Sequence, residues 1–140
     1  MPKPPALFDH SQHGWRRALQ PLNALLRFAL ELIALGLLGR WGSTCSTDPV
    51  RRYLWLLAVP LLAATIWGTF TVPNDPSRGK SGPVRVSGPV RLGIEAAFFG
   101  CAAAACYAVS SAAPAAAYGA VVFLHYAMTH ARVRWLLAQR

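Results

Sequence analysis

The chain has 140 residues, of which 54% are hydrophobic and 14% charged, whereas soluble domains carry about 25% charged residues. Its net charge is +9. The basic residues lie in loops and tails between apolar runs, with no RNA- or DNA-binding motif among them, which argues against a nucleic-acid partner and for a bilayer with basic flanks.

In chain order, residues 1–20 read as a polar, proline-bearing tail without fixed structure. They lack the short basic start and small-residue cleavage site of a secretory signal, so the first apolar run is expected to stay in the mature protein. Crossing a bilayer takes about 20 mostly apolar residues. Four stretches meet that length: 22–41, 53–72, 90–109 and 114–133, the last interrupted near its end by His130 and Arg132. Between the second and third lies PNDPSRGKSGPVRVSGP, whose proline, glycine and serine content excludes a helix. The expected architecture is all-α: an integral membrane four-helix bundle over 21–135, with 136–140 as a C-terminal tail.

Four crossings put both termini and the middle loop on one side. That side carries Lys3, Arg16, Arg17, Arg78, Lys80, Arg85, Arg132, Arg134 and Arg140, against Arg40, Arg51 and Arg52 on the other. Basic residues concentrate on the cytoplasmic side. The reading is therefore a multi-pass protein of the cell membrane with cytoplasmic N- and C-termini.

Two motifs stand out, RFALE at 27–31 and RLGIE at 91–95. At an offset of 64 (91 − 27), Asn23, Arg27, Glu31 and Gly36 fall on Ser87, Arg91, Glu95 and Gly100. This reads as an internal repeat of a helical hairpin. Both copies enter the membrane in the same direction, so a pseudo-twofold axis along the membrane normal relates them. Positions i and i+4 share a helix face, so Arg27 can meet Glu31, and Arg91 can meet Glu95. The pseudo-twofold offers a second solution, Arg27 with Glu95 and Arg91 with Glu31. An unpaired charge at mid-span costs on the order of 3 kcal/mol on insertion scales, so pairing is expected in either arrangement. Asn23 lies on the same stripe of the first helix. On the third helix, Gly93, Ala97, Gly100 and Ala104 form a separate small-residue stripe suited to close helix approach. Trp41 and Trp67 are expected to anchor the helices at the two membrane interfaces, and Pro60 to kink the second span.

LNALLRFALELIALGLLGRWG, PLLAATIWGTF followed by Pro73, and GPVRLGIEAAFFG together resemble the YrdB-like family of small four-span bacterial membrane proteins, domain of unknown function 2568. The resemblance covers about residues 20–135. Its most specific elements are Arg27-x3-Glu31, Trp41-Gly42, Trp67-Gly68-x-Phe70 and Arg91-x3-Glu95. It implies an integral membrane protein with no established activity. Near the end of the fourth helix, where the family carries an asparagine, this chain offers His125 or His130.

Two functional classes fit these residues. One is a structural or accessory membrane protein in which Arg27, Glu31, Arg91 and Glu95 pair the two hairpins. The other is a small oligomeric transporter or channel that uses Glu31 and Glu95 as an ion or substrate site. Neither specifies a substrate. The partners expected are the lipid bilayer and either a second copy or another membrane protein. No serine elbow, paired-cysteine motif, phosphate loop or acid cluster on a loop is present, so no enzymatic activity is expected. No cofactor or metal is expected either: His125 and His130, like Cys101 and Cys106, are five apart, which is not ligand spacing.

Overall fold

The computed structural model describes residues 10–75 and 82–139, with side chains from residue 21 onward. Five helices follow one another: α1 (His10–Gly42), α2 (Pro49–Thr69), α3 (Gly88–Val109), α4 (Ala112–Met128) and α5 (His130–Ala138). The fold is all-α apart from two-residue strands β1 (Phe70–Thr71) and β2 (Val84–Arg85), which pair in parallel at the edges of the expected loop. Three segments are long and apolar enough to cross a membrane: Pro21–Gly42, Pro49–Thr69 and Gly88–Val109.

The elements start and stop where local chemistry directs. Asp48 caps α2 by accepting a hydrogen bond from Arg51 N at 2.9 Å, and Pro49 takes the first helical turn, where no N–H partner is needed. Thr71 Oγ1 accepts from Gly82 N at 2.7 Å and so holds the two ends of the loop together. Helix α1 begins at His10, inside the stretch expected to be a loose tail, and residues 1–9 lie outside the described residues.

The fourth expected span is shorter than its apolar run. Helix α4 ends at Met128, where the Thr129 hydroxyl and N–H both donate to His125 O, at 2.8 and 3.0 Å. The hydroxyl competes with the helical ladder at that turn. At 17 residues, α4 is about 26 Å long, a little under the hydrocarbon thickness. The chain then restarts as α5, which packs on α3. Leu136 is fully buried, so residues 136–138 belong to the fold and are not a tail. Gln139 O accepts from Gly88 N at 2.7 Å, tying the end of α5 to the start of α3.

Helices α1 and α3 form the central contact, with α2 packed chiefly on α1 and α4 chiefly on α3. Two hairpins related about an axis between α1 and α3 require this order. The core between them consists of Leu30, Ala34, Leu38, Trp67, Phe98, Phe99, Ala102, Ala105 and Tyr118. Its aromatic centre is Trp67 against Phe98, with ring centroids 4.7 Å apart, and Phe98 against Phe99 at 5.2 Å.

Close helix approach occurs elsewhere than expected. Gly93, Ala97, Gly100 and Ala104 on α3 are all exposed. The backbones come together instead at Gly39 and Gly42 of α1, where a Cβ would lie 2.9 Å from Leu56 O and 2.5 Å from Trp55 O. Gly42→Ala is therefore expected to push α2 off α1 and cost about 1–3 kcal/mol of stability. Gly36→Ala, which meets nothing within 4 Å, should stay within about 0.5 kcal/mol of the parent. Thermal unfolding of the two purified variants tests the pair.

Candidate functional site: an arginine–carboxylate cluster

The middle of α1, the N-terminal part of α3 and the C-terminal ends of α2 and α4 meet, and six charged side chains among the described residues converge there. On α3, Arg91 and Glu95 are both 0% exposed. They share a helix face, and Arg91 Nε donates to Glu95 Oε1 at 3.1 Å. Arg27 of α1 reaches the same oxygen through Nη2 at 2.9 Å. Its Nε donates to Glu31 Oε1 at 3.0 Å. Both solutions open to Arg27 are thus used at once: its neighbour on α1 and the carboxylate of the other repeat. The reciprocal cross-pair, Arg91 with Glu31, is not among the ion pairs of the described residues. Arg91 is turned toward the end of α2, where its Nη1 donates to Trp67 O at 2.8 Å and Phe70 O at 2.6 Å. Helix-end carbonyls lack intrahelical donors and carry the negative end of the helix dipole, so a guanidinium satisfies both needs.

Three members of the cluster were not anticipated as site residues: Asp75, Tyr126 and Arg132. Arg132 of α5 bridges two acids. Its Nη1 and Nη2 donate to Glu95 Oε2 and Oε1 at 2.9 and 2.8 Å. Its Nη2 and Nε donate to Asp75 Oδ2 and Oδ1 at 2.7 and 3.3 Å. Tyr126 of α4 donates its hydroxyl to Glu95 Oε2 at 2.7 Å. Glu95 therefore accepts five hydrogen bonds, four of them from three arginines. Among the described residues, Arg27, Arg91 and Arg132 face Glu31, Asp75 and Glu95, three positive charges against three negative ones. These acids are three of the five in the whole chain.

Trp67 is not at a lipid-facing interface as expected. It is 7% exposed, with the Arg91 guanidinium carbon 4.3 Å from its ring centroid and that of Arg27 at 5.5 Å. The geometry is that of a cation–π contact, which is strengthened by desolvation. Trp41 is 40% exposed, near the opposite end of α1. Asn23 is half-buried one turn before Arg27 and makes no hydrogen bond to the cluster among the described residues. His125 is buried, while His130 is exposed with its Nδ1 3.1 Å from Ala127 O, and the two rings do not converge. Cys101 is exposed and Cys106 buried, on different faces of α3.

The profile of a family described as "Protein of unknown function (DUF2568)" matches residues 25–123. The chain belongs to that family. It is 36% identical over 121 residues to "Uncharacterized protein YrdB" of Bacillus subtilis (strain 168), a match covering 86% of this chain and 98% of that protein. No solved structure matches. Both Arg-x3-Glu motifs and Asp75 lie within the family segment, whereas Tyr126 and Arg132 lie beyond it.

The distances set an expectation for charge exchange. In Arg27→Glu with Glu95→Arg, the new arginine would face Arg91 and Arg132, and the new glutamate would face Glu31. The double exchange is therefore expected to remain at least as unstable as either single variant. Glu95→Gln, which leaves buried guanidiniums short of a counter-charge, should cost about 3–5 kcal/mol. Thermal unfolding of the purified variants checks both.

Proposed function

We propose that this chain is a structural or accessory protein of the cell membrane, and that its charge cluster is a clasp holding two helical hairpins in a fixed arrangement. The observation that carries this reading is the saturation of Glu95. The carboxylate is wholly buried, and both its oxygens are occupied by donors from α1, α3, α4 and α5. An ion or proton carrier needs a carboxylate that exchanges partners. A group with five short hydrogen bonds, four of them charge-assisted, is built to hold its partners. No reacting group is required by this reading, and the protein acts without catalysing a reaction.

The same reading places the chain as a multi-pass protein with cytoplasmic termini. The excess of Lys and Arg in the sequence of the termini and middle loop supports this. Cys45, exposed between α1 and α2, then faces the outside. It should react in intact cells with a membrane-impermeant maleimide, whereas a cysteine placed at Gln139 should react only after lysis. Labelling at position 139 before lysis, with Cys45 reacting only after it, would reverse the topology.

The clasp is tested by a double-mutant cycle on Arg27→Gln and Glu95→Gln together with a flux assay. Directly interacting residues couple by about 0.5–3 kcal/mol, and a coupling in that range is expected here. Proteoliposomes should hold proton and sodium gradients as long as protein-free vesicles do. A flux that is present in the parent and lost in Glu95→Gln would replace the clasp with a transport function.

A further inference from the structure

His125, in the last turn of α4, is 4% exposed, and its Nδ1 has no hydrogen-bond partner among the described residues. Its ring stands edge-on to that of Tyr126, with centroids 5.8 Å apart, and Tyr126 is a donor to Glu95. The carbonyl of His125 accepts both bonds from Thr129 that end α4. The residue therefore touches two parts of the clasp at once. One is the phenol on Glu95, and the other is the helix break that lets Arg132 reach the same carboxylate.

A neutral imidazole can leave Nδ1 as a bare lone pair, whereas an imidazolium carries a proton on both nitrogens and needs an acceptor for each. No acceptor for Nδ1 is present among the described residues. Helix α4 packs on α1, α3 and α5, and the charges these bring to bear on the ring are those of Arg27, Glu95 and Arg132. Two of the three are positive, and the carboxylate already accepts five bonds. The other titratable groups on this side are Tyr118 and Tyr126, whose hydroxyls are engaged by Leu30 O and Glu95, and His130, exposed at the start of α5. A buried charge that lacks an acceptor and faces like charges is strongly disfavoured. The ring keeps its place only while neutral.

We propose that His125 is a proton switch in the clasp: a second proton on its ring drives it from its buried site and unlatches α5, with Arg132, from Glu95. The imidazolium reaches water only if the last turn of α4 gives way, and that turn carries both Tyr126 and the Thr129 bonds. Glu95 then loses the bonds from Tyr126 and Arg132 and keeps those from Arg27 and Arg91, so α1 and α3 stay together. The inference rests on the clasp reading and adds the condition under which the clasp opens. Because opening takes up the proton, closure is at full strength above the ordinary imidazole range, about pH 6.5, and weakens about tenfold for each pH unit below it.

The test is hydrogen exchange of the full chain in phosphatidylcholine nanodiscs, corrected for the intrinsic pH dependence of exchange. Amides of α5 should lose about tenfold in protection between about pH 6.5 and 5.5, while those of α1 and α2 keep theirs. His125→Gln, which cannot charge, should hold α5 protection constant over that range, and His125→Phe decides the matter if the glutamine variant does not fold. His130→Gln should respond as the parent does. Constant protection in the parent, an equal loss in His125→Gln, or a lost response in His130→Gln would overturn the switch. A loss spread evenly over α1, α2 and α5 would overturn it too, because the chain would then be unfolding as a whole. The clasp is judged separately, by the coupling of Arg27 and Glu95 at neutral pH. Intact coupling with no acid response refutes the switch alone.

Discussion

The arrangement of this protein depends on one carboxylate in an environment where a carboxylate is expensive. Glu95 has no solvent to fall back on, and a buried charge persists only if its lone pairs are filled and its charge is opposed. Three guanidiniums and a phenol do this. Each arginine added to neutralise the glutamate brings a charge of its own, which calls for further acceptors. Arg27 finds Glu31, Arg132 finds Asp75, and Arg91 finds the carbonyls at the end of α2. Among the described residues these pairings bring three charges of each sign together.

Much of the irregular backbone follows from meeting those requirements. The donor from the C-terminal segment, Arg132, lies six residues beyond Tyr126. A continuous α4 would set those two residues about 120° apart around the helix, on different faces. Breaking the helix at Thr129 lets both side chains reach the same carboxylate. The break exposes backbone groups, and the Thr129 hydroxyl and the bond between Gly88 and Gln139 restore part of what is lost. The turn after α2 is constrained in the same way. Asp75 can meet Arg132 only if the loop folds back at once, and β1, β2 and the Thr71 to Gly82 bond hold it there.

The helices, their order and the central pair of motifs were legible in the sequence because they depend on local periodicity and on a cost that applies to any intramembrane charge. Arg27, Glu31, Arg91 and Glu95 could be found, and one cross-repeat pair could be drawn, from spacing alone. Arg132 could not, because in a hydropathy reading it is only the residue that spoils the fourth span. Asp75 was hidden in a loop rich in proline and glycine, and Tyr126 in an apolar run where a phenol reads as packing. Trp67 was misplaced for a similar reason: an indole near the end of a span signals an interface unless something draws it inward. Here two guanidiniums provide that pull. A count of acids would have been a useful signal, since with five in the chain an intramembrane arginine has few places to go.

The repeat is more informative where it fails than where it holds. A strict twofold would give Glu31 the same crowd of donors as Glu95 and would pair Arg91 with Glu31. Instead the positions matching Tyr126 and Arg132 in the first hairpin, Leu62 and Gly68, carry no side-chain donor. Arg91 is held by the end of α2. The first hairpin therefore keeps the charge and lacks the means to bury it, and its α2 makes its closest approach to α1 through Gly39 and Gly42 at the far end. Beyond those glycines α2 stands away from α3, and an apolar groove opens between them. The two Arg-x3-Glu motifs thus carry unequal shares of the clasp. Glu95 fixes the helices from four sides, whereas Glu31 holds only its neighbour Arg27 at the edge of the same cluster.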